Sequence, residues 1–102
     1  MNHTRTPGPD AYLDDVKTGP GGAMTDEVGV ITGELTVATD ALADGRAVVL
    51  VQYKDADEWY ALTGGPVPVP SGGIAHLHAA VLDRVRAGGG ARVPGGSGEA
   101  PA

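Results

Sequence analysis

The chain has no cysteine and no phenylalanine, and a single tryptophan among its 102 residues. Without cysteine there is no disulfide frame and no thiolate chemistry. Basic residues are scarce as well: seven Lys and Arg stand against thirteen Asp and Glu, a formal charge of −6. Residues 24–88 hold nine of the acids and four of the bases, so −5 of that charge belongs to this stretch. Nucleic-acid affinity is dominated by neutralising phosphates, so an acidic surface argues against nucleic acid and anionic membranes as partners. No apolar run approaches the roughly 20 residues of a membrane helix. The N-terminus lacks a basic-then-apolar leader pattern, and together these absences point to a cytoplasmic protein. Serine is limited to Ser71 and Ser97, and no nucleophile, base and orienting acid share a recognisable spacing, so no catalytic residue is assigned. The Gly-rich stretches TGGPVP and SGGI carry no phosphate-binding lysine, and no cofactor is implied.

Glycine and proline are abundant, 17 and 8 residues, and crowd residues 7–22, 64–73 and 88–98. Residues 1–23 show no sustained apolar period and read as a disordered arm. Met24 then reads either as an ordinary internal methionine beside that arm or as the true start, with the residues before it an upstream extension. Residues 89–102, GGARVPGGSGEAPA, read as a disordered tail, because Gly, Pro and Ser cannot bury enough apolar surface to offset their ordering entropy. The folded domain is therefore expected over 24–88.

Within it the strongest local signal is Asp44-Gly45 between two apolar runs, the pattern of a two-residue β-hairpin turn. Glu34–Leu42 and Arg46–Tyr53 read as its strands. Trp59–Thr63 reads as the next strand, and EVGVIT, Glu27–Thr32, as a fourth weakened by glycine. The alternating prolines of Pro66–Pro70 form a stiff extended connector. From Ile74 onward, Ile74, Leu77, His78, Val81, Leu82 and Val85 fall on one side of a helix. Ser71 is its expected N-cap and Gly88 its stop. The fold class predicted is α+β, an antiparallel meander of three or four strands with one C-terminal amphipathic helix on one face.

Three constellations bear on function. Asp55, Asp57 and Glu58 precede Trp59, but a helix-loop-helix calcium loop fails at the fifth, sixth and twelfth positions, where Trp59, Tyr60 and Pro66 stand. The acids read as a solvated turn, with a weak cation or small ligand at Asp55, Asp57, Glu58 and Trp59 as the functional alternative. His76 and His78 diverge by roughly 200° on a helix, so they form no metal pair, and no metal site is expected. His78 sits inside the apolar stripe, either as a hydrogen-bonded core histidine or as a pH-sensitive contact. Finally, both faces of the strands are apolar, and one helix covers one face. Leu42, Val49, Val51, Tyr53, Tyr60 and Leu62 are the residues expected on the uncovered face, as a protein interface. The functional expectation is a small, non-enzymatic interaction or regulatory module acting as a homodimer or on another protein. The alternative is a small-molecule binder or small enzyme with a site at a dimer cleft near Trp59.

Overall fold

A computed structural model describes residues 6–95. Its centre is the hairpin of β4, Glu34–Ala41, and β5, Arg46–Tyr53. Residues 47–51, AVVLV, are all buried, because both sides of β5 are covered. β1, Tyr12–Lys17, lies antiparallel on the outer side of β4. β6, Tyr60–Ala61, and β7, Val67–Pro68, share the other side of β5, β6 against Leu50 and Val51 and β7 against Arg46 and Ala47. A separate two-stranded hairpin joins β2, Ala23–Thr25, to β3, Gly29–Ile31. The helix α1, Gly73–Ala87, packs across β1 and β4. The α+β class, the antiparallel sheet and the single C-terminal helix are as predicted. The EVGVIT stretch forms part of the small hairpin rather than a strand of the main sheet.

The β4–β5 register differs by one residue from that of a two-residue turn. Ala41 faces Ala47, Thr39 faces Val49 and Val37 faces Val51. Leu42 N–H donates to Arg46 C=O, and Gly45 N–H donates to Leu42 C=O, so the loop is the three residues 43–45. Gly45 takes φ 86°, the left-handed residue that follows a tight turn in three-residue hairpins. Asp44 holds this loop by accepting from Arg46 N–H at 3.1 Å and from its Nε at 2.8 Å.

A one-residue slip exchanges the faces of a strand. Leu35, Val37, Val49, Val51 and Leu62 all lie under the helix with Val81 and Val85 in the main core. The other face carries a smaller cluster, Ala38, Val48 and Leu50, with Leu42, Trp59 and Ala61 packed against it. Three residues of the expected interface, Val49, Val51 and Leu62, are therefore interior. The slip brings Val37 of β4 onto the side of β5 that carries Val49 and Val51, and the helix covers that side, a choice that strand alternation alone does not decide.

Both expected domain boundaries move outward. Tyr12–Lys17 is a sheet strand and Val16 and Ala23 are core residues, so the arm expected over 1–23 is structured from residue 12; residues 1–5 lie outside the described residues. Ala91 and Val93 are buried, so the tail expected over 89–102 is built in at its start; residues 96–102 lie outside the described residues. The reason is a backbone crossing made of glycine. Gly19 N–H donates to Val85 C=O, Gly89 N–H to Pro20 C=O, Gly90 N–H to Gly21 C=O and Ala91 N–H to Gly22 C=O. A Cβ at Gly19 would sit 2.4 Å from Arg86 O, and one at Gly88 would sit 2.2 Å from Pro20 O. Two backbones approach this closely only without side chains between them. Downstream, Val93 N–H donates to Thr63 C=O and Met24 N–H to Ala91 C=O, tying the small hairpin and the C-terminal segment together.

The helix keeps its expected stripe, with Leu77, His78, Val81 and Val85 buried. Its N-cap is Gly72 rather than Ser71, with no side-chain capping bond. Gly88 closes the other end, its N–H donating to Arg84 and Val85 carbonyls, beside the dipole-complementing Arg84 and Arg86. Among the described residues no helix is long and apolar enough to cross a membrane.

Candidate functional site

The edge strand β1 is where polar chemistry, exposure and free backbone coincide. Its sequence, YLDDVK, offers one residue to the core, Val16, opposite Leu35 of β4. Alternation puts Tyr12, Asp14 and Val16 on the helix side, and Leu13, Asp15 and Lys17 on the other. Tyr12 is 45% exposed and Leu13 54% exposed, the latter the highest value among the exposed large hydrophobics.

One turn of the helix meets this strand through His78, which is only 4% exposed. Its Nε2 lies 2.8 Å from Asp14 Oδ2, and its Nδ1 lies 2.8 Å from Thr39 Oγ1 of β4. The Tyr12 ring stands beside the imidazole, centroids 5.7 Å apart. Asp14 as a carboxylate only accepts hydrogen bonds, so Nε2 carries the proton, and in the neutral ring Nδ1 accepts from the Thr39 hydroxyl. Both ring nitrogens are thus satisfied, and two strands are tied to one helix by one side chain. Aspartate, histidine and hydroxyl in line is also the arrangement that activates a nucleophile. Here the hydroxyl is interior: Thr39 is 0% exposed, so no substrate can reach it. The arrangement therefore fixes β1 in place and does not attack anything.

On the opposite side of β1, Asp15 accepts from the Thr36 hydroxyl at 2.7 Å and faces Lys54 Nζ at 3.5 Å. The Thr36 hydrogen bond is the main cause holding its carboxyl below the usual range, with the Lys54 charge assisting against some desolvation.

The outer edge of β1 is defined by its ladder. Thr18 N–H donates to Gly33 C=O at 3.0 Å, in register with the β1–β4 pairing. In an antiparallel pair alternate residues bond inward. Tyr12, Asp14 and Val16 therefore bond to β4, and Leu13, Asp15 and Lys17 turn their N–H and C=O groups away from the sheet. Among the described residues β1 ends the sheet on this side.

The other residues singled out by sequence are scattered. Tyr53 is exposed at the end of β5, and Leu42 and Tyr60 are half-buried, on opposite faces of the sheet. Asp55 has φ 68° in a turn closed by Ala56 N–H donating to Tyr53 C=O, and Asp57 and Glu58 are exposed. Trp59 is half-buried and packs on the Ala38–Val48–Leu50 cluster. Glu58 accepts from the Tyr60 hydroxyl at 3.3 Å; desolvation first, and then the Glu58 charge, push the Tyr60 phenol above its ordinary range. Among the described residues no three His, Asp or Glu side chains converge to hold a metal ion.

Sequence reading missed two acids with structural work. Glu27 Oε1 accepts from Ala61 N–H at 2.9 Å and Asp26 Oδ1 from the Thr63 hydroxyl at 2.7 Å, clipping the small hairpin to β6. It also missed the partners of His78. Asp14 lies 64 positions away in an apparently unpatterned arm, and no local signal connects the two. Comparison with family models, curated proteins and solved structures gave no match, so the site rests on its own geometry.

Proposed function

We propose that the chain is a small acidic, non-enzymatic protein-interaction module that works through the β1 edge. The observation that carries this is the pairing pattern of β1: Leu13, Asp15 and Lys17 present outward backbone groups, next to the exposed Tyr12 and Leu13 side chains. An exposed edge invites an added strand, with backbone bonds giving affinity and side chains giving selectivity. The His78 tie to Asp14 supports the reading, because it holds the strand rigid before any partner arrives, and a preorganised strand loses less entropy on binding. Association through Val49, Val51 and Leu62 is not part of this reading, since those side chains fill the molecule's own core.

Leu13→Pro tests it. Proline removes an outward N–H and leaves the inward ladder to β4 complete. The variant should keep its melting temperature within a few degrees of the parent and lose the partner proteins that the parent chain retains from its host's extract. A variant that folds normally and retains every one of those partners would eliminate the β1 edge as the working surface.

A further inference from the structure

We infer that the occupant of the β1 edge is an extended, basic segment of another protein, added as the next antiparallel or parallel strand beside Leu13–Lys17. The inference rests on the edge reading above and adds the partner's chemistry. Three observations favour this occupant. The first is charge. The chain carries −6, and β1 places Asp14 on the helix side of the strand, while Asp15 on the other side is already beside Lys54 Nζ at 3.5 Å and shares that side with Lys17. Asp14 has a side chain 58% exposed although His78 bonds one of its oxygens, so its second oxygen faces solvent beside the edge. A neighbouring strand with Lys or Arg opposite Asp14 gains a favourable cross-strand pair on that face.

The second observation concerns self-pairing. Outward residues must face outward residues in an antiparallel pair. Only two such registers overlap most of β1 with a second copy of itself. One sets Asp15 against Asp15, and the other sets Asp14 against Asp14. Like charges directly opposed are destabilising in a sheet. Two shorter registers, one facing Asp15 with Lys17 and one facing Leu13 with Leu13, each pair only three residues of β1. The acids therefore work against a second copy while favouring a basic strand, which is how edge charges confer selectivity.

The third observation is apolar. Leu13 on one side of the strand and Tyr12 on the other stand next to the acids. A matching segment alternates short apolar residues with bases, so that one residue packs on Leu13 or Tyr12 and the next meets a carboxylate. The Tyr12 ring leaning on His78 gives the aliphatic stem of an Arg or Lys a flat surface to lie on.

Amide hydrogen exchange on the full chain reads the edge residue by residue. In the free protein the amides of Leu13, Asp15 and Lys17 should exchange fast, and those of Asp14 and Val16 slowly. The probe is an acetylated heptapeptide alternating Arg and Val, with two controls in which Glu or Thr replaces Arg. The Arg peptide should slow exchange at Leu13, Asp15 and Lys17 and leave the Asp55–Glu58 turn unaffected. Asp14→Asn with Asp15→Asn keeps the acceptors for His78 and Thr36 but removes both charges, and should weaken that peptide by about tenfold at low salt. Equal protection by the Thr and Arg peptides would overturn the basic partner and leave the edge reading standing. Protection that grows with the chain's own concentration, without peptide, would overturn it in favour of a second copy. Binding of the Arg peptide that leaves these three amides fast would overturn it as diffuse charge attraction. Failure of the edge itself is read separately, by unchanged partner capture in Leu13→Pro.

Discussion

A buried imidazole with both nitrogens engaged is sensitive to each partner separately. Thr39 sits at full burial, and its hydroxyl is the hydrogen-bond partner of His78 Nδ1. Thr39→Val keeps the shape and deletes that partner, leaving a buried ring nitrogen unsatisfied. The expected loss is about 1–3 kcal/mol by urea denaturation. Thr39→Ser should recover most of it, which separates the hydroxyl's contribution from that of the methyl group. A second residue-scale expectation concerns Asp15. Its folded carboxyl titrates below the ordinary value of 3.8, first because of the Thr36 hydroxyl and then because of Lys54. A depressed folded value means stability that is present above 3.8 and is lost as pH falls through the folded midpoint. Thr36→Ala should therefore move the Asp15 midpoint upward, toward 3.8, in a carboxyl NMR titration. A midpoint that stays where it was would assign the depression to Lys54 alone.

At the scale of elements, the inward and outward positions of β1 should respond differently to the same substitution. Asp14→Pro removes a donor bonded to β4, together with the carboxylate that meets His78 Nε2, and should be strongly destabilising, while Leu13→Pro, one residue earlier, should cost far less. Thermal melts of the two variants side by side give the comparison, and a larger loss in Leu13→Pro would mean that the ladder assignment is inverted. Strong periodicity made some elements readable from sequence. β5 declares itself by AVVLV and the helix by its stripe, whose side at His78 was also readable. The β5–β6 pairing, with Leu50 opposite Ala61 and Val51 opposite Tyr60, follows from counting across the second turn. The β4–β5 register did not follow, because Asp-Gly is compatible with two loop lengths. That single residue put Val37 on the side of β5 that carries Val49 and Val51, and which side the helix covers had no local signal in the sequence. β1 was invisible for a different reason. An edge strand with one buried residue in six has no apolar alternation to detect.

The whole molecule depends on places where composition looked uninformative. Glycine carries no hydrophobic signal, so GPGG at 19–22 and GGG at 88–90 could not be paired by any pattern. Their pairing nevertheless joins the N-terminal strand, the small hairpin and the helix end. Substitution separates close approach from backbone conformation here. Gly89 has φ 71° with open space around its missing Cβ, whereas a Cβ at Gly19 would run into the backbone of Arg86 and Ala87. Gly89→Ala should cost about 1–2 kcal/mol of left-handed strain. Gly19→Ala should cost more, although its backbone conformation is ordinary, because the crossing must open to admit the methyl group. The reverse order in denaturation midpoints would show that conformation, not contact, makes glycine necessary there.

That crossing also sets an order of events. Pro20 and Gly89 are bonded across 69 positions, from 20 to 89. The β4–β5 hairpin and α1 close over short spans, whereas a junction of this length costs loop entropy that only the assembled core can offset. On a ribosome the strand at 12–17 is made early, yet its neighbourhood is finished only after Ala91 and Val93 emerge. Until then the nascent chain holds a hairpin and an acidic ribbon with nothing to shut it. Like charges at Asp14 and Asp15 are expected to disfavour pairing between such unfinished copies.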